Sequence, residues 1–238
     1  MVIAVLNEAE NVGPVIAELA TALAAVPGCE VVLVDDGSTD GTADRIAAAR
    51  AALPPGAPAI RTLRFDRRCG KTAALRAGIA AARGVWIATM DGDGQNDPRD
   101  VAEMYALGSA ASLPAPLVAG TRARRHDGIW RLIATRFANG LRRRLLGDEC
   151  PDSGCGLKAF RRVDFLELPG FEGMHRFLPA LFQLYGHPLL CKPVNDRPRL
   201  QGQSKYTNFG RAMVGIGDIL GVVWLRSRTR RPGRVTEI

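Results

Sequence analysis

The sequence predicts an α/β fold with a doubly wound, mostly parallel sheet flanked by helices, and three observations lead there. Short β-branched runs alternate with alanine-rich helical stretches through the first half of the chain. Most of those runs are continuously apolar, as strands buried on both faces require. Polar, glycine-rich turns follow the strand ends, where such sheets bind ligands.

Taken in order, residues 2–6, 30–34, 59–65, 85–90 and 117–120 read as strands. Residues 10–26, 39–53, 71–83 and 98–107 read as the helices between them, the last with Pro98 in its first turn. Residues 54–58 read as a loop, and no internal repeat is visible. A helix over 129–146 places Trp130, Ile133, Phe137, Leu141 and Leu145 on one stripe, with its arginines elsewhere. An extended segment (152–160), a helical region (172–185), a strand (189–194) and a final helix (208–225) complete the expectation. Residues 212–225 are almost wholly apolar but too short to span a bilayer, and they run into an arginine tail. That composition fits an interfacial helix, and equally a helix packed on the core with a basic terminus.

At 238 residues the chain is long enough to bury a full core. No apolar run approaches the ~18 to 20 residues of a membrane span. Five cysteines at irregular spacing, with no basic-then-apolar leader, predict a reducing, cytoplasmic setting. The net charge of +8 is concentrated. Residues 121–146 hold eight arginines against one acid, and residues 226–238 hold five against one, on a mildly acidic remainder. Such patches favour polyanions, whether nucleic acid, phosphorylated substrates or an anionic leaflet, and equally fit a pair of solvated helix faces, between which composition does not choose.

Two acidic turns carry the chemistry. VVLVDDGSTDGT (31–42) ends a buried strand in Asp35 and Asp36, ahead of a turn that caps a helix. A capped turn accounts for one acid but not comfortably for two. IATMDGDGQNDP (87–98) places Asp91 and Asp93 around Gly92, with Gln95 beyond. Carboxylates this close repel unless a cation neutralises them. An all-oxygen set of this kind suits Mg²⁺ or Mn²⁺, with substrate phosphates completing the shell.

With VLNEAENV, GKTAALRAGIAAARG, SGCGLKAFRR and RLQGQSKY added in order, the chain resembles glycosyltransferase family 2 of the GT-A fold. Within it, the likeness is to the polyprenyl-phosphate sugar synthases typified by dolichyl-phosphate mannose synthase. The resemblance implies that Ala4, Leu6, Glu8, Val34 and Asp36 hold the nucleoside of a GDP- or UDP-linked sugar. It implies that Asp91, Gly92, Asp93 and Gln95 hold the metal and pyrophosphate, and that Arg122, Arg199 and Lys205 grip phosphates. Arg131 and Thr135, spaced i, i+4, match the pair that receives the lipid phosphate. The chain departs from the family at Ala4, usually proline, and at Leu6, often aromatic. Longer members append membrane helices, so a peripheral association with the cytoplasmic membrane face is expected here. Residues 1–205 are expected to form the catalytic domain, and 206–238 an apolar helix and basic tail against the membrane surface.

The implied reaction displaces a nucleoside diphosphate from the anomeric carbon, and a divalent ion with nearby cations stabilises the leaving charge. A polyprenyl monophosphate, with a second pKa near ~6, is already ionised at neutral pH and needs positioning rather than a base. Asp93, Arg122, Arg131 and Thr135 are the expected catalytic set, acting by in-line inversion. Two rivals stand beside it. One is a family 2 enzyme using a carbohydrate hydroxyl, for which Asp152 is the candidate base, and the other is a noncatalytic nucleotide-binding scaffold. A phosphate-binding loop before Lys71 would need glycine where Phe65 stands. Cys150 and Cys155 lack the histidine pairs and repeats of a zinc site, and no nucleic-acid module is present.

Overall fold

The computed structural model describes residues 1–24, 26–122, 140, 142–198 and 208–230, with the backbone alone at 208–214 and 216. The strands are β1 (Val2–Val5), β2 (Glu30–Asp35), β3 (Ala59–Arg64), β4 (Trp86–Asp91), β5 (Leu117–Arg122), β6 (Lys158–Arg161) and β7 (Leu189–Val194). They form one sheet in the order β3-β2-β1-β4-β6-β5-β7. β6 runs antiparallel to both β4 and β5, and the other pairings are parallel. All strands but β6 therefore point their carboxyl ends at one edge. The chain winds outward from β1 to β3 and then returns to β4 on the other side of β1, so the β1/β4 crevice is the topological switch point.

Alternation along the strands sorts side chains between two core layers. Ile3, Val5, Val31 and Leu33 face α1 (Val12–Leu23), α2 (Thr42–Ala51) and α4 (Asp100–Ser109). Val2, Val32 and Val34 face α3 (Lys71–Ala81), α5 (Arg162–Leu166) and α6 (Leu178–Leu184). α3 can lie this close to β1 and β2 because Gly78 faces them. A Cβ there would come within 2.5 Å of Val2 and 2.8 Å of Val34. Phe160 of β6 stacks on Phe165 of α5 at 5.2 Å and tilts against Phe182 of α6 at 5.4 Å, which anchors the second half to the sheet.

Several expectations change. The segment expected to be merely extended contains β6, and α5 was not foreseen. Residues 172–185 divide into a 3₁₀ turn (Met174–Arg176) and α6. α2 begins at Thr42 rather than 39 because Asp40 Oδ1 accepts the Thr42 amide at 3.0 Å. Of the helix expected over 129–146, residues 140 and 142–146 are described, and they revise the stripe. Leu145 is exposed, whereas Arg142 is buried at 4%. Its guanidinium pairs with Asp148 at 2.8 Å and also donates to Ser153 Oγ and the Cys150 carbonyl. This arginine therefore clamps the turn that leads into β6, where the charge pattern counted it in a basic surface patch. The final helix, α7 (Asn208–Arg228), extends to Arg228. It buries Val222 against the second core layer, together with Ile219, Val223 and Leu225, while Leu220 and Trp224 are exposed. No helix among the described residues is long and apolar enough to cross a membrane.

Because Arg142→Ala would strand Asp148 as a buried unpaired charge, it should cost about 3–5 kcal/mol of stability in urea denaturation. A loss under ~1 kcal/mol, the range of an exposed pair, would contradict the clamp.

Candidate active site

The ends of β1, β2, β4 and β5 supply the site. After β1, Asn7 adopts a positive φ of 50° and ties its loop to the one after β2. Its amide donates to Ser38 Oγ at 2.8 Å, and its Oδ1 accepts the Thr39 amide at 2.9 Å. The Glu8 amide donates to Thr42 Oγ1 at 2.9 Å, while the Glu8 carboxylate accepts from Asn11 at 2.6 Å. Ala4 and Leu6 are half-buried, but the Val34 side chain is wholly within the core. Val34 has no exposed surface at all, since its backbone is paired with β1 on one side and β3 on the other.

The two acids ending β2 divide their work. Asp35 Oδ1 accepts the Ser38 amide at 2.9 Å, which closes the turn. Asp36 reaches across to the start of α3, where it accepts the Cys69 amide at 2.6 Å and the Gly70 amide at 2.9 Å. The second acid, which a capped turn could not explain, thus fixes the entry to α3 and with it Lys71, the helix's first residue.

Lys71 is the residue that completes the acidic turn after β4. Its ammonium forms an ion pair with Asp91. An ammonium at a helix N-terminus is opposed by the helix dipole, and the Asp91 carboxylate compensates. Burial alone would raise the Asp91 pKa, but the charge and hydrogen bond of Lys71 outweigh it and hold the carboxyl below its usual range. Gly156 closes the other side, where a Cβ would fall 2.4 Å from Asp91 Oδ1. Asp93 Oδ1 accepts the Gln95 amide at 3.2 Å, and the Gln95 side chain donates to the Arg197 carbonyl at 3.4 Å. Beyond them Asp97 binds Arg99 at 2.8 Å and Arg197 at 2.9 Å. The Arg99 hydrogen bond leads in drawing the Asp97 pKa down to about 2.

A buried lysine and a half-buried histidine back this edge. Lys158 donates to the carbonyls of Ser153 and Cys155, and burial pulls its pKa down. The Nδ1 of His175 lies 2.9 Å from Thr72 Oγ1, which itself accepts the Gly173 amide at 3.0 Å. Burial first, and then the charge of Lys71, push the His175 pKa well below 6.5, so the ring is neutral. The motif reading did not find Asn7, Lys158 or His175. It placed Lys71 at the start of a helix near the donor without a partner. At the end of β5, Arg122 forms a two-point pair with Asp152 at 2.7 and 2.9 Å. Burial opposes its charge, but the carboxylate prevails and raises its pKa. Arg131, Thr135, Arg199 and Lys205 lie outside the described residues.

Residues 1–168 match the family model "Glycosyl transferase family 2". The chain belongs to glycosyl transferase family 2. Among its family 2 relatives is the dodecaprenyl-phosphate galacturonate synthase of Rhizobium johnstonii, 37% identical over 98% of this chain and 68% of that protein. Another is the undecaprenyl-phosphate 4-deoxy-4-formamido-L-arabinose transferase of Edwardsiella ictaluri, 32% identical over 74% of this chain and 53% of that protein. The chain thus spans about two thirds of the first relative's length and about half of the second's. Among solved structures, glucosyl-3-phosphoglycerate synthase from Mycobacterium tuberculosis in complex with Mn²⁺, uridine diphosphate and glucosyl-3-phosphoglycerate superposes with a TM-score of 0.69. The sequences are 21% identical, over 94% of this chain and 78% of that one. The same enzyme with Mg²⁺ and uridine diphosphate gives 0.68 at 20% identity, covering 94% and 77%. The expected GT-A fold is the observed one, and the chain is a glycosyltransferase.

The neutral His175 yields a pH prediction. The unfolded chain binds a proton near pH 6.5 that the folded ring refuses, so its contribution is intact above pH 6.5 and lost as pH falls. Between pH 6.5 and 5 stability should decline by up to about 1.4 kcal/mol per pH unit from this group. Urea denaturation of His175→Asn should show that slope reduced, and an unaltered slope would contradict the assignment.

Proposed function

We propose that this glycosyltransferase moves a sugar from a nucleoside diphosphate donor, GDP- or UDP-linked, to a polyprenyl phosphate at the cytoplasmic membrane face, with inversion and with a divalent metal. The feature that carries the reading is the acidic turn after β4 at the switch point, where Asp91 is ion-paired with Lys71 and Asp93 follows two residues on. The relatives named for polyprenyl-phosphate substrates supply the acceptor class.

The residues fit an Mg²⁺ or Mn²⁺ ion bound together with substrate. Asp91 is kept ionised, accommodates a positive charge, and faces a glycine where any side chain would intrude. Among the described residues no three His, Cys, Asp or Glu side chains converge. Asp91, Asp93 and the side-chain carbonyl oxygen of Gln95 would hold the ion, with donor phosphates completing its shell. When bound, it would supply electrostatic stabilisation of the leaving diphosphate. Asn7, Glu8 and Asp36 are assigned to the floor for the nucleoside, with Ala4 and Leu6 at its edge and Val34 supporting it from within the sheet. Arg122, oriented by Asp152, presents its guanidinium at the end of β5 for a phosphate. Arg131 and Thr135 are assigned to the lipid phosphate, and Arg199 and Lys205 to the donor phosphates.

Attack by an ionised phosphate needs no proton acceptor. The Asp152 carboxylate is already engaged by Arg122, which disfavours its use as a base toward a carbohydrate hydroxyl. Membrane contact is assigned to α7, where exposed Leu220 and Trp224 stand one turn apart and lead into exposed Arg226, Arg228 and Arg230.

Radiolabelled nucleotide sugars, starting with galacturonate and formamido-arabinose donors, should label undecaprenyl phosphate in vesicles in the presence of Mn²⁺. Asp93→Ala should retain its melting temperature and lose about a hundredfold or more in transfer rate. Label passing only to soluble hydroxyl acceptors, or full transfer by the variant, would overturn the reading.

A further inference from the structure

β7 stands three places from β4 in the sheet, yet the chains that leave their carboxyl ends meet. Asp196 forms an isolated antiparallel bridge with Asn96 of the acidic turn, and the Arg197 amide donates to the Gln95 backbone carbonyl at 2.9 Å. Just before them, the Asn195 amide donates to Asp100 Oδ2 at 2.9 Å, and Lys192 pairs with Asp100 at 3.5 Å and Glu103 at 2.9 Å. Residues 192–197 are thereby fastened along the turn that carries Asp91, Asp93 and Gln95 and along the start of α4.

Arg197 has two roles in this seam. Its main chain engages Gln95 twice, through the amide just described and through its own carbonyl, which accepts Gln95 Nε2 at 3.4 Å. With the side-chain nitrogen committed to Arg197, the Gln95 side chain is left to offer its carbonyl oxygen, the only one of its two polar atoms that can ligate a cation. The Arg197 guanidinium holds that main chain in place. One arm pairs with Glu18 of α1 at 2.8 Å and the other with buried Asp97 at 2.9 Å. Arg99 also pairs with Asp97, but it lies two residues along the same turn. Of the two arginines on Asp97, Arg197 is the one that ties the turn to α1 and to the chain leaving β7.

We propose that Arg197 is a positioning residue for the metal: its grip on Glu18 and Asp97 holds the Gln95 side chain with its carbonyl oxygen presented to the ion. The same grip fixes the point from which the chain runs on to Arg199, assigned above to the donor phosphates. Groups behind a metal ligand orient it, and removing one typically weakens metal binding about 10–100-fold. This inference rests on the metal reading proposed above.

Mn²⁺ titration of the full chain by electron paramagnetic resonance, with uridine diphosphate and with guanosine diphosphate, tests it. Arg197→Ala should still fold, since Asp97 keeps Arg99, and should lose about tenfold in Mn²⁺ affinity with whichever nucleotide supports binding in the wild type. Arg197→Lys keeps the charge without the planar fork and should fall between the two, and it provides the comparison should Arg197→Ala not fold. Arg99→Ala should bind Mn²⁺ as the wild type does. Hydrogen exchange in the nucleotide-free protein reads the seam without the ion: peptides spanning residues 93–97 and 195–197 should exchange faster in Arg197→Ala. Wild-type Mn²⁺ binding that both Arg197 variants match, or an equal loss in Arg99→Ala, would overturn the inference alone. A wild-type chain that binds no Mn²⁺ with either nucleotide would overturn the metal reading along with it.

Discussion

The parallel strands deliver carboxylates to a single edge of the sheet, and the structure depends on neutralising each of them there. Like charges gathered in a half-buried crevice repel strongly, so each one needs a cation or a set of amide donors. Asp91 has Lys71, Asp36 has the amides that open α3, Asp97 has Arg99 and Arg197, and Asp152 has Arg122. The same rule governs Asp148 and Arg142 just behind the edge. These pairings link elements that hydrophobic packing alone would leave free to slide. Asp36 sets the start of α3, α3 sets Lys71, and Lys71 sets the charge state of Asp91.

This arrangement explains why structural and chemical roles are hard to separate here. A carboxylate that accepts backbone amides, as Asp36 does, is also the polar floor of the proposed nucleoside site. The ammonium on Asp91 does for the free protein what a divalent ion is proposed to do with the donor bound. It keeps the acid ionised without leaving a bare charge in the crevice. The two-point contact between Arg122 and Asp152 fixes a planar fork in one orientation, which suits a phosphate and leaves the carboxylate poorly placed to accept a proton.

Much of the fold was legible because its signals are local. Continuous apolar runs marked most of β1 to β5, and glycine-rich acidic turns marked the carboxyl edge. β6 escaped because its antiparallel insertion between β4 and β5 is decided by partners distant in sequence, and residues 158–161 carry no alternation of their own. Helix ends were misjudged where a side chain caps the backbone, as Asp40 does for α2. In the site, Asp91, Asp93 and Gln95 were legible as a spaced oxygen set. Lys71 was visible as a residue but not as the partner of Asp91, because that pairing is made by the crossover through α3. His175 offered no signal, since its hydrogen bond to Thr72 spans 103 positions. Arg142 was counted in a basic surface patch because sequence cannot tell a clamped arginine from a solvated one.

The central claim is that Asp91 is an ionised carboxylate held ready for a cation that arrives with the donor diphosphate. Mn²⁺ titration followed by electron paramagnetic resonance, with and without uridine diphosphate, tests it most directly. The account predicts weak binding of Mn²⁺ alone, much tighter binding with the nucleotide, and about a tenfold or greater loss of the tight mode in Asp91→Asn, equivalent to ~1.4 kcal/mol or more. Nucleotide-dependent Mn²⁺ binding of equal strength in that variant would contradict it.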